Sequence, residues 1–241
     1  MSVPEYQVRW RQPAYIERAR DTFLEIEVYD DGSISAPSSG TISVYNAAGT
    51  AVVDAQSVTI ASSKANYTIT AATVASESFG DDWRVEWTLV MGDTNTYLFR
   101  QDAALVRVRL APVIADADLT ARYPDLGSYL DSSLTSWEGF ILEAWWDVVG
   151  RLESMGRRPY LIVSPEALRP VHLHTTLGLI CRSLAGSGDP DNKWHFLADM
   201  HERKAEEAWA TTTLKYDSDD DGDGEGERVG ATVLTFLAGR A

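Results

Sequence analysis

Hydrophobic and polar residues alternate strictly along several stretches of the first half of this 241-residue chain. Leu24, Ile26 and Val28 alternate with Glu25 and Glu27. Trp83, Val85, Trp87 and Leu89 alternate with Arg84, Glu86 and Thr88, and Val106, Val108 and Leu110 with Arg107 and Arg109. A period of two puts one set of side chains on a buried face and the other in solvent, as in a half-buried β-strand. Turn signals separate the runs: Asp30-Asp31-Gly32, Asn46-Ala47-Ala48-Gly49 and Gly92-Asp93-Thr94-Asn95. This spacing predicts about seven or eight short strands in an antiparallel, immunoglobulin-like β-sandwich over residues 1–112. Trp83 and Trp87 are expected as its core anchors, with Tyr67 and Ile69 facing them from the other sheet. The chain has a single cysteine, so no disulfide pins this domain.

The period changes once, near Ala111–Pro112, and becomes helical. A short helix is expected from Asp116, acting as N-cap, to about Tyr123, where Pro124 interrupts it. Trp137, Phe140, Ile141, Ala144, Trp145, Val148, Val149, Leu152 and Met155 then recur at helical spacing, and Gly156 suits the C′ position. A third helix opens at Ser164-Pro165-Glu166 and runs to Gly186, apolar nearly all round, with a slight kink expected at Pro170. A fourth opens at Asp189-Pro190 and presents Trp194, Leu197, Ala198, Ala205, Ala208 and Trp209 on one face. Its other face carries Glu202, Arg203, Glu206 and Glu207. The expected fold class is therefore α+β: a sandwich, then a four-helix bundle over 113–216.

Residues 217–241 break both patterns. Asp217 to Glu227 is a run of Asp, Glu and Gly with one Ser that builds no core, followed by the apolar, β-branched Val229–Ala238. The first part reads as an acidic linker and the second as an extended arm. Val229, Val233, Phe236 and Leu237 are the expected partner-binding residues of that arm, which is suited to dock on another surface.

Charge narrows the function. The net charge is −15, from 36 acidic and 21 basic residues. Residues 1–112 and 113–216 each carry −5, and residues 217–241 carry another −5 in far less chain. Such acidity argues against holding nucleic-acid phosphates, whose affinity comes from Lys and Arg. The first residues lack a basic stretch leading into an apolar run, and no stretch approaches the roughly 20 apolar residues of a membrane span. The expectation is a protein made in the cytoplasm, with Cys181 an inert buried thiol.

Candidate chemistry is sparse. His172 and His174 are two apart on a helix, so their side chains diverge and cannot share a metal by themselves. His195 and Asp199 have metal-pair spacing but no evident third ligand. Asp217, Asp219 and Asp221 followed by Gly222 match the opening of a calcium loop, yet Arg228 stands where the bidentate acid belongs, which favours a solvated linker. No nucleophile elbow, phosphate loop, zinc-protease or dinucleotide fingerprint occurs. The chain is therefore read as a non-enzyme without cofactor or metal.

The layout resembles one family. A β-domain leads into Leu105–Pro112, then Ile114–Leu119 and Tyr123–Leu126, then a helix whose core reads Ala144-Trp145-Trp146-Asp147. This order is similar to the head–tail adaptor (connector) proteins of tailed bacteriophages, over residues 113–216 and the C-terminal arm. The resemblance implies a homo-oligomeric ring in the virion, commonly of about twelve copies, that joins the portal to tail or nozzle proteins and lets DNA pass. It also implies an arm reaching the portal or a neighbouring copy. The alternatives from the residues themselves are another tail or baseplate structural protein, or a carbohydrate-binding β-sandwich module. Aromatics displayed on a sheet face would favour the last; aromatics confined to the core favour a structural role.

Overall fold

The computed structural model describes residues 5–10, 12–132, 134–186, 193–217 and 225–228, the last four by backbone only. The fold is α+β. The chain divides into two compact units: residues 1–110 together with Arg158–Leu161, and residues 111–157 together with 162–241.

The first unit is built from strands β1 (Gln7–Val8), β2 (Ala14–Glu17), β3 (Thr22–Ile26), β4 (Val28–Asp30), β5 (Ser33–Ile34), β6 (Ser39–Tyr45), β7 (Ala51–Ser57), β8 (Thr59–Ala61) and β9 (Lys64–Ile69). The one-turn helix α1 (Ala71–Val74) follows, and then the two long strands β10 (Gly80–Val90) and β11 (Thr96–Val106). A five-stranded sheet has the order β2-β11-β10-β6-β7, parallel only between β2 and β11; three-stranded sheets run β3-β9-β8 and β1-β4-β5. Side chains from all three sheets enter one apolar cluster, with Ile16, Ile26, Val28, Ile42, Val44, Trp87 and Leu89 at its centre.

The turns form for local reasons. Asp31 and Gly32 both have positive φ, 47° and 78°, which is the two-residue hairpin geometry that matches strand twist. Asn46 Oδ1 accepts from the N–H groups of Ala48 and Thr50 and closes the β6–β7 turn. In β6, Gly40 lies opposite Leu89, and a Cβ there would stand 2.5 Å from Leu89 Cδ2 and 2.7 Å from Thr88 O.

Two readings of the alternation change. The Leu24–Val28 run is two strands, because pairing breaks at Glu27: β3 pairs with β9, whereas β4 pairs with β1 and β5. All three apolar residues are nevertheless buried. At the other end β11 stops at Val106. Its last four residues, Ala103 to Val106, are buried in succession, so both faces of the strand are covered there.

The second unit begins with α2 (Asp116–Arg122), a 3-10 turn at Pro124–Tyr129 and α3 (Glu138–Ser154). The 3-10 turn Pro165–Leu168, α4 (Arg169–Ala185), α5 (Lys193–Thr211), β12 (Thr213–Tyr216) and β13 (Glu225–Arg228) complete it. Ile141, Ala144, Trp145, Val148, Val149 and Leu152 form the buried stripe of α3. Gly156, at φ 74°, ends that helix: its N–H donates to Glu153 O, and the Arg157 N–H donates to Leu152 O. α4 packs against α2, α3 and α5, as an all-round apolar helix should.

Three local expectations are corrected. Asp116 is the first residue of α2, not its N-cap; Ala115 holds that position, and Asp116 Oδ1 instead accepts the Trp137 N–H at the start of α3. The Ser164 segment forms a separate 3-10 turn, with Ser164 Oγ accepting the Lys215 N–H. Pro170 therefore falls in the first turn of α4, where its missing N–H costs nothing, and no kink is needed. Within the stretch read as acidic linker and arm, Glu225–Arg228 forms β13, antiparallel to β12 with Thr213 opposite Arg228.

Candidate functional site

The expected partner-binding residues Val229, Val233, Phe236 and Leu237 lie outside the described residues, as do Asp219, Asp221 and Gly222 of the calcium-loop pattern. Asp217 is described and is buried at the end of β12. The candidate sites lie in the helical unit: a groove between α3, α4 and α5, and the histidines His172, His174 and His201 with their hydrogen-bond partners.

The groove has a volume of about 540 Å³. Val148 of α3, Val171 and Leu179 of α4, and Ala205 and Trp209 of α5 form its apolar lining. Asp147, Arg151, Asp199, Glu202, Arg203 and Glu206 stand round it. The end nearest Trp209 is braced. Arg151 makes a two-pronged ion pair with Glu206, Nη1–Oε1 2.6 Å and Nη2–Oε2 2.8 Å, while its guanidinium sits 4.4 Å from the Trp209 ring centroid. That pair holds the Glu206 carboxyl below its ordinary range. Asp147 is shifted the other way, raised by burial and by Glu143 nearby. Arg182 pairs with both Asp199 and Glu202, which places Asp199 in an ion pair on the surface of α5. A cleft with an apolar floor and a mostly acidic rim suits an apolar peptide segment with at most a basic charge.

Two of the histidines lie in the packed interior. His172 is fully buried, with Nε2 2.8 Å from Ile141 O and Nδ1 3.4 Å from the Val113 N–H. The carbonyl needs a donor and the N–H an acceptor, so the ring is neutral with its proton on Nε2. Burial lowers its pKa to about 4. His201, also fully buried, is lowered to about 4 by burial and by neighbouring positive groups. Its Nε2 is 2.8 Å from Tyr123 Oη, and its Nδ1 is 2.9 Å from His174 Nδ1. One proton must sit between those two nitrogens, because two facing N–H groups would repel. Desolvation also raises the Tyr123 phenol and pushes the buried Cys181 thiol up to about 11, so the cysteine stays protonated and unreactive at neutral pH.

His172 and His174 do diverge as the helix period requires. The structure brings His174 to His201 instead, across α4 and α5 and 27 residues along the chain, a proximity that no spacing rule signals. The groove was equally hidden, since Glu202, Arg203 and Glu206 read as an ordinary solvent face. Among the described residues, no three His, Cys, Asp or Glu side chains gather as a metal site. No helix among them is long and apolar enough to cross a membrane.

A scan against protein-family models finds no match, and a search of curated proteins finds no similar sequence.

Proposed function

We propose that the protein is a structural virion component, a head–tail adaptor that forms a homo-oligomeric ring and joins a phage portal to its tail or nozzle proteins. The observation that carries this reading is the order of elements in the helical unit. A short helix opens at Asp116, a 3-10 turn and a long amphipathic helix follow, then the 3-10 turn Pro165–Leu168, then two further long helices. We read α2 to α5 as a four-helix bundle, and the first unit as an immunoglobulin-like sandwich whose five-stranded and β3-β9-β8 sheets share one core.

Placement of the aromatics favours a structural role over carbohydrate binding. Trp83, Trp87 and Phe99 are core residues at 2%, 0% and 8% exposure. Phe23 is the exposed large aromatic among the described residues of that unit, and one ring makes no stacking platform. The charge of −15 suits a channel that DNA passes without adhering, because like charges repel along its wall. In this reading Val229, Val233, Phe236 and Leu237 engage the portal or the adjacent copy, and no cofactor or metal takes part.

The test is assembly. The purified protein should give a closed ring, near twelve copies, by native mass measurement. A chain ending after Arg228 keeps the β12–β13 pair, should fold, and should fail to convert DNA-filled heads into tailed particles in a complementation assay. A monomer that never forms rings with portal present, or normal tail joining by the shortened chain, would defeat the reading.

A further inference from the structure

We infer that the groove between α3, α4 and α5 seats residues 229–237 of its own chain. The strand register supplies the first argument. β13 runs antiparallel to β12 and ends with Arg228 opposite Thr213, two residues beyond the end of α5. Arg228, the last residue of β13, is thus held close to the C-terminal end of α5, the helix that carries Trp209 in its last turn. Reach supplies the second. Nine residues extend up to about 30 Å, whereas the α5 stretch from Trp209 back to Asp199 covers about 15 Å.

Complementarity supplies the third. Residues 229–241 contain Val229, Val233, Phe236 and Leu237, no acidic side chain and one basic one, Arg240. The groove offers Leu179 and Trp209 as apolar lining and acids such as Asp199 and Glu206 at its rim. Phe196 lies one turn before Asp199 on the same stripe of α5 and is 72% exposed, which puts an apolar ring beyond the charged rim. A segment tethered this close meets its own groove at high effective concentration. The inference rests on reading the segment as a docking arm and adds where that arm is held while the chain is free. A portal or neighbouring subunit must then displace it, which ties exposure of the arm to the presence of its partner.

The test is a crosslink in the full chain. Arg203→Cys places a thiol at the groove's rim, where the native side chain is 72% exposed and pairs only loosely with Glu207 at 3.8 Å. Phe236→Cys places the second thiol, and Phe236→Cys alone controls for the buried Cys181. Oxidation of dilute protein with copper-phenanthroline should give an intrachain disulfide, seen as a faster-migrating monomer on a non-reducing gel. Adding Leu179→Arg, or Thr175→Arg if the first fails to fold, should abolish that band. Crosslinks only between chains, no crosslink, or a band indifferent to the groove substitution would each overturn the inference. Loss of the crosslink leaves the adaptor reading standing if the chain shortened after Arg228 still fails at tail joining, so the two failures are separable.

Discussion

The two units bury different chemistry. The core of the β unit is apolar throughout, with Thr22 the one buried polar residue among those described, its Oγ1 accepting the Glu17 N–H at 2.9 Å. The helical unit buries His172, Thr176 and His201 outright and joins them to the backbone and to Tyr123. Strands need no such devices, because their ladders already fix register and the alternation fixes the face. Helices satisfy their backbones internally and can slide or rotate against one another. Buried side-chain hydrogen bonds single out one arrangement, since any other strands a polar group in an apolar core. The difference teaches that the first unit is specified by pattern and the second by pattern plus polar pins.

The largest effects should come from the apolar anchors, and there the units should behave alike. Trp87→Ala and Trp145→Ala should each cost about 3–5 kcal/mol in denaturant unfolding. Trp145→Phe should cost much less, because the Trp145 Nε1–H finds no partner among the described residues. A near-zero change for Trp145→Ala would mean that this ring faces a partner and is not a core anchor.

Acid should separate the units. All four histidines lie in the helical unit. Above about pH 6.5 His172 is neutral folded and unfolded, and contributes nothing to pH dependence. As pH falls from 6.5 toward 4 the unfolded chain gains a proton that the folded chain refuses, so stability drops. With the folded value at about 4, the loss from His172 approaches about 3 kcal/mol by the low end. His201 adds a loss of the same sign, while the raised carboxyl of Asp147 works against it near the low end. His172→Gln, which keeps a donor near Ile141 O, should be less stable at pH 7 but flatter between pH 6.5 and 4.5. Unfolding midpoints measured across that range decide it, and an unchanged slope would show that this histidine does not carry the acid response.

A backbone approach should matter only in the sheet. Gly40→Ala must push Leu89 and the Thr88 carbonyl aside, at a cost of about 1–3 kcal/mol. The smallest effect belongs to the groove's brace. Arg151→Met removes an exposed ion pair and a ring contact and should cost no more than about 1 kcal/mol in thermal or urea unfolding. A larger loss would mean that this corner supports the helical core as well as bordering the groove.

The sequence alone determined the change of period at Ala111–Pro112, the buried stripe of α3, the core tryptophans and the turns at Asp31-Gly32 and Asn46, because each follows from local spacing or local hydrogen bonding. The break at Glu27 was invisible, since the inward face persists while the strand's partner changes. Tertiary structure alone decided that Asp116 receives the start of α3, that β13 pairs with β12, that His174 meets His201, and that a polar face of α5 borders an apolar groove. Those features depend on which distant residues are brought together, and a one-dimensional pattern records the face a side chain takes but never the neighbour it meets there.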